Sequence, residues 1–190
     1  MFRCAALLSA CLACTAAWAG PKEAVHAAFS KFLAAKSFHA TVTDANKGEP
    51  LSSMDYVAPD RYRIHSARGP QTIIVGDDAW IDMNGRTMKV PLPVGRMIAQ
   101  YRNQHTLEEL EKGLAITDLG SDSVGGVPAH AYGYTVTDPA RADVKLWVDD
   151  KSGLPLQIES KGSFMGHASA ARVRYSDFDD PSIRIEVPQN

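Results

Sequence analysis

The chain has 190 residues, 45% of them hydrophobic, a formal net charge of −2 and three cysteines. That balance argues against the strongly basic surface used on nucleic acid or anionic membranes, and the length sets an expectation of one domain able to bury its own core. All three cysteines (Cys4, Cys11 and Cys14) fall within the first 19 residues, so the remainder has no disulfide, thiol nucleophile or thiolate metal ligand to offer.

Residues 1–3 form a short basic opening, and residues 4–18 are small and apolar with only Ser9 and Thr15 as mild interruptions. Ala17 and Ala19 supply the small residues of a signal-peptidase site, which predicts a signal peptide over residues 1–19, cleavage before Gly20, and export to the periplasm. The apolar run is short for a membrane span. A lipobox reading of Leu8-Ser9-Ala10-Cys11 would leave only residues 4–7 as apolar core ahead of an acylated Cys11, less than a signal sequence uses. Loss of Arg3 leaves the mature chain one unit more acidic, and residues 20–190 are expected to form a single domain.

Residues 21–36 have the grammar of an amphipathic helix. Pro21 stands at the entry, Glu23 in the first turn, Lys31 and Lys36 toward the end, and Val25, Phe29, Phe32 and Leu33 lie on one stripe. From Ser37 the period changes to two, with Phe38, Ala40 and Val42 opposite His39, Thr41 and Thr43. Strand-like runs follow over 51–57, 61–66, 71–75, 79–83 and 86–90, separated by Gly-, Pro- and Asp-rich turns, among which Asn84-Gly85 is a strong hairpin signal. Pro91 and Pro93 interrupt this meander. Residues 94–113 read as two short helices: Met97, Ile98 and Tyr101 form a stripe on the first, and Thr106 caps the second. A helical insertion within a meander is expected to act as a lid over one face of the sheet. Strands are then expected over 114–119, 128–137, 143–149, 154–161, 170–178 and 182–187. Roughly eleven strands are enough to curl strongly, which predicts an α+β fold with an unclosed antiparallel barrel rather than a flat sheet.

The clearest stretch spans residues 143–160. Val144, Leu146 and Val148 alternate with Asp143, Lys145 and Asp149, and Leu154, Leu156 and Ile158 alternate with Pro155, Gln157 and Glu159. Between the runs, Asp149, Asp150, Ser152 and Gly153 supply capping side chains and a residue that tolerates positive φ. The sheet is therefore expected to have one oily and one wet face.

Taken in order, the helix, Ser37-Phe38-His39-Ala40, Tyr56-Val57-Ala58-Pro59-Asp60-Arg61-Tyr62-Arg63 and Ile73-Ile74-Val75-Gly76-Asp77-Asp78-Ala79-Trp80 resemble the LolA-like superfamily, that of the periplasmic carrier of outer-membrane lipoproteins. The residues from Val124-Gly125-Gly126-Val127-Pro128 onward, with Leu146-Trp147-Val148-Asp149 and the closing Tyr175 to Pro188, are similar to its second half. The resemblance implies a half-barrel wrapped over helices that plug its mouth, with acyl chains held in the hydrophobic space between. The carrier commonly has an Arg before the Pro matched here by Pro59, where it helps latch the lid. This chain has Ala58, so the resemblance implies a lipid or apolar-ligand binder more broadly than dedicated lipoprotein trafficking.

The expected cavity and lid residues are Ile73, Val75, Ile81, Met83, Met97, Ile98, Tyr101, Leu146, Val148, Leu156 and Ile158. Met83, Met88, Met97 and Met165 offer adaptable apolar surface, and Phe164-Met165-Gly166 reads as an apolar hairpin tip. Catalytic signatures are missing: Gly162-Ser163-Phe164-Met165-Gly166 has its Ser in the wrong place for a nucleophile elbow, and there is no Walker loop. His26, His39, His65, His105, His130 and His167 are scattered without ligand spacing, and the acidic pairs sit at turns. No cofactor, metal or nucleic acid is expected, and the protein is expected to be a monomer. The reading is a non-enzymatic periplasmic carrier of lipoprotein acyl chains or another lipid, with inner- and outer-membrane transport partners. The alternative is an envelope sensor or interaction module that detects lipid or lipoprotein and signals to a membrane partner. A third reading is a hydrolase built from His and Asp residues that folding brings together.

Overall fold

A computed structural model describes residues 20–83, 86–91, 114–137, 141–164 and 167–188. The expected signal peptide, the two lid helices and the Asn84-Gly85 and Met165-Gly166 turns lie outside these residues. The described part holds one helix, α1 (Pro21–Ala34), followed by eleven strands: β1 (Ser37–Asp44), β2 (Pro50–Val57), β3 (Arg61–Ser66), β4 (Gln71–Val75), β5 (Asp78–Met83), β6 (Arg86–Val90), β7 (Thr117–Val124), β8 (Val127–Val136), β9 (Ala142–Asp149), β10 (Pro155–Phe164) and β11 (His167–Ser176).

The strands form a single sheet in the order β6-β5-β4-β3-β2-β1-β11-β10-β9-β8-β7, every neighbouring pair antiparallel. Each hairpin is local. The one distant pairing is β1 with β11, which places the first and last strands side by side in the middle, with Ala40 opposite Tyr175 and Val42 opposite Val173. The two halves of the chain therefore spread outward from a shared seam. β6 and β7, neighbours in sequence, lie on opposite edges, so the sheet is not closed by hydrogen bonds between them.

Helix α1 begins as its sequence predicts, with Pro21 in the first turn, Glu23 against the positive end and Lys31 in the last turn. It crosses one face of the sheet, called here the helix face. Its early residues Val25 and Ala28 pack with Tyr132, Leu146 and Val148. Its late residue Phe32 meets Phe38, Tyr175 and Phe178 at ring separations of 4.9, 5.1 and 6.4 Å. These contacts join the helix to both halves of the sheet.

The 182–187 segment does not become a strand. It runs as an extended tail against the opposite face, where Arg61 donates to the Ile185 carbonyl (2.7 Å) and Arg63 to the Arg184 carbonyl (2.7 Å). Ile185 is buried beneath it. Alternating residues laid on a surface give the same period as a strand in a ladder, which is why the sequence pattern predicts one. The number of strands remains eleven because the run from Ser37 to Asp44 takes a central place.

The hairpin between β9 and β10 closes as expected. Gly153 has φ +69°, its amide donates to the Asp149 carbonyl (2.8 Å), and the Asp149 carboxylate accepts from the Lys151 amide and the Ser152 hydroxyl. The positive φ is what calls for glycine here; a Cβ would otherwise meet only the movable end of the Lys31 side chain.

Candidate functional site

Cross-strand register divides the side chains between two faces. On the helix face one row runs Phe38, Tyr56, Tyr62, Ile74, Ala79, Val90, and the next runs Ala40, Met54, Ile64, Thr72, Ile81, Met88. On the other side of the seam a row runs Val42, Val173, Ile158, Leu146, Tyr132. The first row is largely buried, with Phe38 and Ala79 at 0% exposure and Ile74 at 1%, and the aromatic rings of Phe32, Phe38, Tyr56, Tyr175 and Phe178 fill it. The remainder is more open. Met54, Ile64, Ile81, Val42, Val173 and Ile158 are half-buried, and Met88 is 58% exposed. The helix face is thus an apolar wall that α1 covers over β8 and β9 and at the β1–β11 seam, and that elsewhere is only partly covered among the described residues.

The expected cavity residues divide accordingly. Ile81, Leu146, Val148 and Ile158 share the helix face; Leu146 (0% exposed) and Val148 (9%) lie in the core under α1, while Ile81 and Ile158 belong to the half-buried rows. Met83 ends β5 opposite Arg86. Met97, Ile98 and Tyr101 lie outside the described residues. Three residues have a different place. Ile73 pairs with Trp80 and Arg63 on the opposite face and lines a cleft of about 340 Å3 beneath the tail, with Val187 and Pro188. Val75, two residues on, shares that face and pairs with Arg61. Leu156 also turns away, because a bulge between Pro155 and Gln157 shifts the register by one; it packs against Trp147, Ala129 and Ala131, whereas Ile158 packs with the Leu146 cluster.

The opposite face carries the polar partners. Arg172 pairs with Glu159 (2.7 Å), and Asp55 lies 2.7 Å from His39 Nδ1 and 3.4 Å from Arg63. Trp147 lies on this side, with Lys145 Nζ 4.3 Å from its ring centroid and its indole N–H donated to Asp122 at 2.8 Å. Asp122 also accepts from the Ser123 amide and from Lys145. These bonds, the Trp147 bond first, hold its pKa down at about 2.

Two His–Asp pairs are brought together: His39 with Asp55, and His130 with Asp118 (2.6 Å). Among the described residues neither ring has a hydroxyl partner. Among the same residues no three His, Cys, Asp or Glu side chains converge to hold a metal ion, and no helix is long and apolar enough to cross a membrane.

An open antiparallel sheet with an apolar face crossed by one helix is a fold found in solved structures of low sequence identity. The chain superposes on the lipoprotein LppX of Mycobacterium tuberculosis with a TM-score of 0.67 at 10% identity, covering 87% of this chain and 98% of that one. LprF from Mycobacterium bovis gives a TM-score of 0.66 at 14% identity, covering 90% and 97%. MucB gives 0.51 at 15% identity, covering 87% of this chain and 60% of that one. At such identities the likeness is one of fold. No protein-family model matches the sequence, and no curated protein does.

The packing of the Phe32–Phe38–Tyr175–Phe178 cluster and the cleft under the first half of α1 are absent from the sequence expectations. The first was signalled by aromatic residues at the strand positions facing the helix; the second depends on how α1 crosses β8 and β9, which no local pattern reports.

Proposed function

We propose that the exported chain is a non-enzymatic carrier or binder of lipid, holding acyl chains of a lipoprotein or of another lipid against the apolar wall of its helix face. The observation that carries this reading is the half-buried band of Met54, Ile64, Ile81, Val42, Val173 and Ile158, continued by exposed Met88, on the same face that α1 crosses. The fold shared with LppX and LprF supports it.

An alkyl chain suits such a wall on energetic grounds. Each buried CH₂ contributes about 0.8 kcal/mol, so a chain of roughly fifteen carbons gains on the order of 10 kcal/mol before ordering costs. Flexible Met side chains on the wall accept chains of different shape. A carrier must also release its cargo, and a wall that is shallow and partly open allows this better than a sealed cavity. The predicted cleavage before Gly20 would deliver the protein to the periplasm, between the membrane that makes such lipids and the one that receives them.

Native mass spectrometry of the protein purified from its own envelope tests this reading. Copurifying lipid, lost when Ile64 and Ile158 are both replaced by Lys, is the expected result. A ligand-free wild-type protein that also fails to take up lipid in vitro would overturn it.

A further inference from the structure

A second cleft, of about 380 Å3, lies between the first half of α1 and the ends of β7, β8 and β9. Its apolar side is made by Ala24 and Ala28, its aromatic side by Tyr132 and His130, and its rim by Asp118, Asp149 and Asp150. Two of these carboxylates are engaged. Asp118 accepts from His130 Nε2 (2.6 Å) and the Gly120 amide (2.7 Å), and Asp149 accepts from Ser152 and the Lys151 amide. The Asp150 carboxylate has no hydrogen bond among the described residues, although its amide donates to the Pro128 carbonyl.

Tyr132 supplies the independent observation. It is 8% exposed, its ring is 5.0 Å from that of His130, and its hydroxyl has no hydrogen-bond partner among the described residues. The hydroxyl has no partner within the described protein and lines the cleft, so it is free to bond a ligand held there. Burial, with the charges of Asp118 and Asp150, raises its pKa and keeps it neutral. The remaining charged group of the lining, Lys31, is tied to the Ser152 carbonyl at 2.6 Å. Three carboxylates against one lysine leave the cleft negative, which disfavours an anion.

We propose that this cleft binds a small organic ammonium ion. Its N–H groups donate to the Asp150 carboxylate and the Tyr132 oxygen, its methylenes lie on Ala24 and Ala28, and the aromatic wall favours the positive charge. The chemistry is shared by a free alkylammonium and by the ethanolammonium headgroup of a lipid. The site stands on its own residues and does not depend on the apolar wall.

Titration of the full exported protein with ethanolammonium chloride, followed by NMR at the Ala24 and Ala28 methyl groups and the Tyr132 ring, tests it. Saturable shifts are expected, with affinity reduced about tenfold in Asp150→Asn and severalfold in Tyr132→Phe. Asp150→Asn should melt as the wild type does, since that carboxylate bonds nothing in the described protein. Sedimentation with vesicles containing phosphatidylethanolamine, against phosphatidylcholine alone, separates the sources: selective binding that Asp150→Asn abolishes assigns a lipid headgroup, and response to the free ion only assigns a soluble amine. Shifts reproduced by sodium chloride, unchanged in Asp150→Asn, or absent would overturn the site.

Discussion

The ring of Phe32, near the end of α1, lies 4.9 Å from that of Phe38 at the start of β1, tilted by 38°. Six positions apart in the chain, these two rings turn the chain from helix to sheet and bring Tyr175 and Phe178 from the far end against the same spot. The aromatic cluster thus holds together α1, the central β1–β11 seam and the start of the tail. Phe32→Ala should cost about 2–4 kcal/mol, the range for truncating a packed aromatic side chain. Urea denaturation should show a lower midpoint with an unchanged slope; an unchanged midpoint would mean that the helix does not depend on this cluster.

Leu146 and Lys145 face opposite ways on β9, and their substitutions should separate accordingly. Leu146→Asp would place a carboxylate at a fully buried position beneath α1 and should prevent folding. Lys145→Asp is not neutral, as alternation alone would suggest, because Lys145 covers the Trp147 ring and contacts Asp122 at 3.2 Å. A carboxylate there would face Asp122 instead. After allowance for solvent screening, a loss of about 1 kcal/mol is expected in chemical denaturation.

Acid stability should carry the signature of Asp122. Its pKa falls from 3.8 to about 2 because the folded protein supplies Trp147, Ser123 and Lys145 as donors to the ionised form. A depressed folded-state pKa contributes stability that is present above the unfolded value near 3.8 and disappears as the pH falls through about 2. Melting temperature should therefore be lower in Asp122→Asn than in the wild type at neutral pH, and the two curves should converge between pH 4 and 2. A difference that persisted at the acid end would assign the effect to lost hydrogen bonding alone.

The tail should come free when its anchors are removed. Arg61 and Arg63 hold the Ile185 and Arg184 carbonyls, each at 2.7 Å. Replacing both with Met, which keeps the stems but not the donors, should cost about 1–3 kcal/mol and expose the tail to protease while leaving the sheet intact. Hydrogen exchange that quickened throughout the sheet would show that the tail is integral to the core.

Strand alternation was legible wherever only one face of a strand is oily. Phe38 and Ala40 against His39 and Thr41, and Ala79 and Ile81 against Asp78 and Asp82, give their faces away. β4 does not, because Ile73, Ile74 and Val75 are all apolar: Ile74 enters the core while Ile73 is covered by the tail on the other side. A run buried from both sides loses its period, and only the partner strands reveal which residue faces the helix. Leu156 was misplaced for another reason. A bulge beside Pro155 inserts one residue into the alternation, and one residue is enough to exchange the faces. The ammonium cleft was illegible because Tyr132, Asp150 and Ala28 meet only through the crossing of α1 over β8 and β9.

Paramagnetic broadening by a spin-labelled fatty acid gives the most direct reading of the apolar wall. With the label near the end of the acyl chain, methyl signals of Ile64, Ile81, Val173 and Ile158 should broaden, while those of Ile73, Val75 and Leu156 keep their intensity. Equal broadening on the two faces, or loss of signal confined to Ile73, Val75 and Leu156, would contradict a lipid seated on the helix face.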